Sequence, residues 1–284
     1  MKIISYGEII WDVYPDRKAL GGAPLNFALH ASAVGAETAI VSAVGYDGLG
    51  DEALGIIGSR GVDTQYVGRS ERPTGRCNVT LDEKKIPSYE LMRDTAYDSI
   101  ALSESDIKKI SAEGYDAICF GTLIQRSPIS RDTLRDLVAR SGIRTIFCDV
   151  NLRSGNYDAE SASFCLENST LLKVSLEEAP ALNSLRLYKT PDDTSPLSIA
   201  RVLFDSYPCL MNVALTDGER GAYSMSRGGK LIFCPAPKVK VVSTVGAGDS
   251  FGAAWLVSLF SGDGESVALE KAVRYSADVI SGKL

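Results

Sequence analysis

Short β-branched runs recur along this chain, each closed by Gly, Asp or Asn and followed by a helical pattern. The runs are Ile3 to Ile10, Thr38 to Gly45, Asp116 to Gly121, Thr145 to Asn151 and Val213 to Gly218. Helical spacing fills the intervals over Pro24 to Val34, Glu104 to Ala112 behind a cap at Ser103, Ser130 to Arg140, and Pro196 to Phe204. That alternation predicts an α/β fold with a largely parallel sheet. Ligands of such sheets gather where strands end, so the glycine-rich junctions are the first places to look for chemistry.

Two segments depart from the rhythm. Thr74 to Asp82 and Ile86 to Met92 read as strands around the charged turn Glu83-Lys84-Lys85, a hairpin set between αβ units. Gly221 to Ser226 and Lys230 to Cys234 read as a second hairpin around Arg227-Gly228-Gly229. A hairpin standing off an α/β core serves as a lid, as an oligomer contact, or as an edge extension with no role in binding.

With 284 residues, 45% of them hydrophobic and 23% charged, the chain can bury the core of one large domain. A net charge of −6 leaves no excess of cations for a nucleic-acid backbone or an anionic membrane. Glu8 and Asp12 interrupt the apolar start before a signal-peptide core can form, and no run is long enough to span a bilayer. A cytoplasmic setting is expected, in keeping with six scattered cysteines that form no C-x-x-C pair. His30 is the single histidine and lies in an Ala-rich helix, which argues against a His-rich zinc site or a Ser-His pair.

The strongest local signal is Lys238 to Trp255, where an extended run meets Gly246-Ala247-Gly248-Asp249 and then a small-residue apolar helix from about Ser250 to Phe260. Glycines let the amides of Gly246, Ala247 and Gly248 turn toward an anion at a helix N-terminus. Asp249 at the mouth of that turn could accept a proton from an attacking hydroxyl. Taken alone, an inert tight turn explains the run nearly as well. A dinucleotide fold would want a glycine where Phe251 stands, and no Walker A sequence or protein-kinase motif is present. Weaker signals are Gly21-Gly22-Ala23-Pro24-Leu25-Asn26, opening an Ala-rich helix, and Gly45-Tyr46-Asp47-Gly48-Leu49-Gly50-Asp51 at a strand-to-helix junction.

In chain order these two segments are followed by Asp149-Val150-Asn151-Leu152-Arg153, Thr216-Asp217-Gly218 and Gly246-Ala247-Gly248-Asp249. The ordered set of five resembles the PfkB carbohydrate-kinase family over Tyr6 to about Ala277. The Gly-Gly-Ala-Pro opening, Lys173 to Glu178 and Pro235 to Val239 look most like fructokinases. The resemblance implies a single ribokinase-like kinase domain over 1–284. That fold is a three-layer sandwich with a mostly parallel central sheet and a small β-hairpin lid, here about 13–20 and 74–92. It also implies ATP and Mg²⁺, a small sugar as acceptor with D-fructose foremost, and a possible homodimer through the lid.

Residue by residue, Asp249 matches the catalytic base, and Gly246, Ala247 and Gly248 match the anion hole. Asp12, Gly22 and Asn26 match sugar contacts, Arg153 a basic group near the transferred phosphate, and Tyr89 and Arg93 lid residues that touch the sugar. Ser175 and Glu178 match the segment that orders phosphate and Mg²⁺, Glu178 through water. Thr216 and Gly218 match nucleotide contacts, and Ser276 stands where relatives often carry an adenine-side Asn. Two departures count. Ser243-Thr244 replaces the usual Asp-Thr, which tells against K⁺ activation, and the chain ends at Ser281-Gly282-Lys283-Leu284, short of the relatives' Gly-Ala tail. Other acceptors of the family remain open, namely 2-keto-3-deoxygluconate, ribose, tagatose phosphate or a nucleoside, as does a non-catalytic binding relative.

Overall fold

The computed structural model describes residues 1–81, 87–189 and 193–284, with the side chains at 80, 81 and 87–89 outside the description. The strands are β1 (Lys2–Tyr6), β2 (Ile10–Val13), β3 (Lys18–Gly21), β4 (Glu37–Gly45), β5 (Val62–Ser70), β6 (Gly75–Leu81), β7 (Pro87–Leu91), β8 (Ala117–Phe120), β9 (Thr145–Asp149), β10 (Leu171–Ser175), β11 (Asn212–Thr216), β12 (Gly221–Ser226) and β13 (Ile232–Pro235). The α-helices are α1 (Ala23–Ala33), α2 (Gly48–Ser59), α3 (Glu104–Glu113), α4 (Pro128–Arg140), α5 (Ala159–Asn168), α6 (Ala179–Ser184), α7 (Pro196–Ser206), α8 (Ala247–Phe260) and α9 (Glu265–Ile280).

Nine strands form one sheet in the order β13-β12-β11-β10-β9-β8-β1-β4-β5. Every pairing from β11 to β5 is parallel, and β12 and β13 extend the far edge antiparallel. The expected mostly parallel α/β architecture is therefore present. The hairpin around Arg227-Gly228-Gly229 is an edge extension of this sheet.

Successive strand residues supply opposite cores, as the two-residue period of a strand requires. Ile3, Ala117, Cys119, Phe147 and Ala214 face α1, α8 and α9 through Phe27, Trp255 and Leu269. Ile4, Ile118, Phe120, Cys148 and Leu172 face the other layer through Ile110, Leu134, Cys165 and Leu203. Both faces are covered, which is why these strands read as continuous apolar runs. Local signals fix the helix starts. The Ser103 hydroxyl accepts from the Asp106 amide while the Asp106 carboxylate accepts from the Ser103 amide, a reciprocal cap that starts α3 as expected.

The segments expected to form a lid, about 13–20 and 74–92, belong to a separate four-stranded sheet, β3-β2-β6-β7 (the lid sheet), which is larger than a lone hairpin. The first apolar run, Ile3 to Ile10, is the reason for the difference. It breaks at Gly7, and the chain leaves the large sheet there and enters β2 of the lid. Gly7 has φ +155°, and a Cβ on it would stand 2.4 Å from Pro24 Cγ, so the break is set by close packing against the start of α1. The charged turn at 83–85 lies outside the described residues.

Two other expectations are corrected. Lys238 to Val245 is an irregular, largely exposed segment with no strand. Its amides at Val242 and Ser243 both donate to the Ile280 carbonyl, which binds the segment to the end of α9. β5 and β10 were not foreseen: β5 is an edge strand with polar residues interleaved, and Lys173 interrupts the apolar pattern of β10. Among the described residues, no helix is long and apolar enough to cross a membrane.

Candidate active site

Three of the five glycine or aspartate motifs follow strands of the parallel sheet, which all end on the same side. Gly45 ends β4, Asp149 ends β9, Ser175 ends β10 and Thr216 ends β11. Across this rim runs the N-terminus of α8. Its N-cap, Gly246, has φ +78°, a left-handed conformation that glycine adopts without strain and that turns the chain into the helix. The first helical bond runs from the Ser250 amide to the Gly246 carbonyl at 2.8 Å. The Ala247 amide donates to the Thr244 carbonyl at 3.3 Å, closing the preceding turn. A helix of fourteen residues, buried almost all round, thus points its N-terminal dipole at the rim.

Asp249 stands in the first turn of α8, half-buried, and its Oδ2 accepts a 2.9 Å hydrogen bond from Asn26 Nδ2. Burial pushes its carboxyl from an ordinary 3.8 up to about 7, and the neighbouring Asp149 charge adds to the rise. The Asn26 amide, Lys173 and Arg153 work against it. A carboxyl tuned to that range is suited to taking up a proton at neutral pH.

Asn26 is delivered by α1, whose start depends on Gly22. Gly22 sits at φ +115°, and a Cβ there would stand 2.3 Å from the Glu8 carbonyl oxygen. Glu8 in turn accepts the Ala23 amide at Oε1, 3.1 Å away, and caps the helix that carries Asn26. Burial raises the Glu8 carboxyl to about 7, with the Asp249 charge contributing in the same direction. Glu8, Thr122, Asn151, Asp149 and Asp249 line one small enclosed pocket with Pro24 and Phe27. The sequence had shown Glu8 as an interruption of an apolar run. Its role was invisible because the partners that bury it come from α1 and α8.

The same holds for Lys173. It and Asp149 are register partners on adjacent parallel strands, and Lys173 Nζ lies 2.8 and 2.7 Å from the two Asp149 carboxylate oxygens. Burial opposes the charge on Lys173, but Asp149 and Glu178 outweigh it and raise its value, so the ammonium is kept. This pair lies directly under α8: a Cβ on Gly248 would be 2.9 Å from Lys173 Nζ.

The other expected residues fall around this centre. Asp12 is on β2 of the lid, its carboxyl raised by burial and pulled back by Arg153. Arg153 also acts on Glu8, Asp149 and Asp249, so one exposed cation serves both the lid and the rim. Arg93, just past the lid, donates from Nη2 to the Gly155 carbonyl at 3.0 Å, close in sequence to Arg153. The Tyr89 side chain lies outside the described residues. Glu178 accepts from the Leu152 amide at Oε1 (2.7 Å) and from the Ser175 amide at Oε2 (2.8 Å), bridging the ends of β9 and β10. Thr216 is the register partner of Ser175, and its carbonyl accepts from the Leu176 amide. Gly218 follows with φ +55°. The Ser276 hydroxyl, on α9, donates to the Ala247 carbonyl at 2.8 Å. Among the described residues, no cluster of three His, Cys, Asp or Glu side chains could hold a metal directly.

The lid is fastened to the rim by the second motif. Asp47 caps α2 by accepting from the Gly50 amide at 2.8 Å, and its other oxygen accepts from the Thr74 amide. The Thr74 hydroxyl donates to Asp47 and accepts from the Gly45 amide. This knot lies at the foot of β6, and it explains an aspartate and glycines that read in sequence as a mere turn.

The model of the pfkB family carbohydrate kinases matches residues 3–283. A sugar kinase of Pyrococcus horikoshii is 29% identical over 250 residues, spanning 87% of this chain and 76% of the relative. A 5-dehydro-2-deoxygluconokinase of Halalkalibacterium halodurans is 24% identical, spanning 99% of this chain and 85% of its own. An Arabidopsis thaliana protein named as a fructokinase is 27% identical over 90% of this chain and 82% of its own. The crystal structure of the Pyrococcus horikoshii kinase in complex with ATP superposes with a TM-score of 0.80 at 25% identity, covering 97% of this chain and 91% of that one. With the match running almost end to end and Asp249 set in the first turn of α8, the chain belongs to the pfkB family of carbohydrate kinases.

Proposed function

We propose that this kinase transfers the γ-phosphoryl group of ATP to a primary hydroxyl of a small sugar, D-fructose being the leading acceptor, and that it acts in the cytoplasm. The observation that carries the reading is Asp249, half-buried at the start of α8 and held by Asn26. Asn26 keeps the carboxylate aimed outward from the helix, and Asp249 takes the proton of the attacking hydroxyl as transfer proceeds. Gly246, Ala247 and Gly248 present the helix N-terminus to the transferred group, where the dipole offsets its charge; the Ala247 amide, expected to face the anion, is instead taken by the Thr244 carbonyl.

ATP would supply the phosphoryl group, held along the rim by Thr216, Gly218 and the α9 side marked by Ser276. Glycine at 246 takes the left-handed φ of +78° that turns the chain into α8, and glycine at 248 leaves room for Lys173 Nζ beneath the helix start. Mg²⁺ would be bound by phosphates and water, with Glu178 and Ser175 ordering that water. Asp12, Gly22 and Asn26 orient the sugar, with Arg153, Arg93 and Tyr89 closing over it from the lid side and excluding water. Pairing of two lid sheets in a homodimer belongs to this reading, and the mass in solution tests it.

Fructose is supported by the fructokinase-like segments at Lys173 to Glu178 and Pro235 to Val239. A second acceptor class is favoured by a specific observation: Arg93 and Arg153 bring two cations to one side of the site, which suits a keto-deoxy sugar acid.

A panel of sugars and sugar acids with coupled ADP release decides between them. Turnover on one acceptor, lost by about 10²–10⁴-fold in Asp249→Ala, is the expected outcome for removal of a general base. An unimpaired Asp249→Ala protein would overturn the assignment. Because the base acts as a carboxylate, kcat/KM should fall as pH drops through about 7.

A further inference from the structure

The ion pair beneath α8 has no part in the reading above, yet it is built as part of the site. Lys173, in the middle of β10, and Asp149, at the end of β9, are both buried and paired across the two strands beneath α8. A buried salt bridge is not, in general, a source of stability, since desolvation offsets the attraction. An apolar pair would fill the same space between β9, β10 and α8. The location explains the charge better than stability does: the ammonium lies against Gly248, the glycine that admits it, and next to the turn that carries Asp249.

We propose that Lys173 is a positioning residue for phosphoryl transfer: clamped by Asp149 under Gly248, its fixed charge sets the ionisation of Asp249 and reinforces the positive end of α8. The two charges of the pair act on Asp249 in opposite directions. Asp149 favours its protonated form and Lys173 its carboxylate. The other groups facing Asp249 are Arg153 from the loop after β9, Glu8 from the loop after β1, and the Cys119 thiol on β8. None of these touches the pair within hydrogen-bond distance, so changes in the pair are read against a constant background.

The inference rests on Asp249 being the group whose ionisation matters, and the experiment separates the two. Asp249 is followed by carboxyl ¹³C NMR in protein labelled at aspartate, with Asp249→Asn identifying its signal, and no sugar or ATP is needed. Lys173→Met should move the Asp249 midpoint up by about one pH unit or more, and Asp149→Asn should move it down, as expected for removing opposite neighbouring charges. The double variant Lys173→Met/Asp149→Asn leaves no unpaired buried charge, so it should fold even if a single variant does not. Its midpoint should lie close to or slightly below that of the unaltered protein, because the Asp149 influence is the larger of the two. The acid limb of kcat/KM should shift in step with these midpoints.

Midpoints that stay fixed in the variants that fold, while turnover falls, would reduce the pair to packing and overturn the proposal. Shifts of the same sign in both single variants would overturn it as well. Midpoints that move as stated while Asp249→Ala retains full turnover would instead remove Asp249 as the base and leave the electrostatic link standing.

Discussion

The rim at the start of α8 and the four-stranded lid differ in how they hold charge. At the rim, Asp149, Lys173 and Glu8 are buried, Asp249 is half-buried, and each is bonded at short range. In the lid, charges are partly exposed and lie over aromatic rings, as with Lys18 over Trp11 and Arg17 over Tyr14. The rim's geometry is fixed by neighbours from the large sheet and α1. The lid sheet is tied to the core by Ile10 and Cys77, by Trp11, whose Nε1 donates to the Leu49 carbonyl, and by the Asp47–Thr74 knot. In the proposed function the preorganised centre needs burial, whereas the sheet proposed to cover it must admit and release substrate, and the two regions differ in packing accordingly.

Gly22 is where the two are joined, between β3 of the lid and α1 of the rim. Gly22→Ala should be the most damaging small change, destabilising by roughly 4 kcal/mol or more: strain at positive φ alone costs about 1–3 kcal/mol, and the added methyl meets the Glu8 carbonyl. Urea denaturation measures it, and a loss under about 1 kcal/mol would show that the junction is pliable.

The second test separates the rim's chemistry from its stability. Asp249 has a folded-state value raised from 3.8 to about 7, so the native protein binds the extra proton between those values. Stability from this group therefore falls as pH rises from about 4 through about 7. Asp249→Asn keeps an acceptor for Asn26 and removes the buried charge. It should raise stability at pH 8 by on the order of 2–3 kcal/mol, at about 1.36 kcal/mol per pH unit less local relaxation. The difference from the unaltered protein should vanish near pH 4. Thermal unfolding across pH checks it, and equal melting temperatures at pH 8 would contradict it.

The smallest effect belongs to the lid's fastening. Thr74→Val removes the hydroxyl from the Asp47–Gly45 knot and should cost about 1–2 kcal/mol of local stability. With the rim untouched, KM for the sugar should rise severalfold while kcat changes little. An equal fall in kcat with KM unchanged would show that lid and rim are one unit.

The repeated β-branched runs and the interposed helical spacing were enough to specify a mostly parallel α/β sheet, because near-continuous apolar strands need helices on both faces. The ordered glycine and aspartate motifs likewise pointed to Asp249 and its turn, since unusual backbone conformations demand glycine wherever they occur. Other features are decided by what packs against them. The break at Gly7 that sends β2 into the lid depends on Pro24, a contact between distant positions. Glu8 becomes a helix cap with a raised carboxyl only once α1 and α8 bury it, and Lys173 becomes the partner of Asp149 only through the strand register. A sequence carries the local conformational preferences of each segment. The burial and pairing of charges are non-local, so only the tertiary structure assigned them.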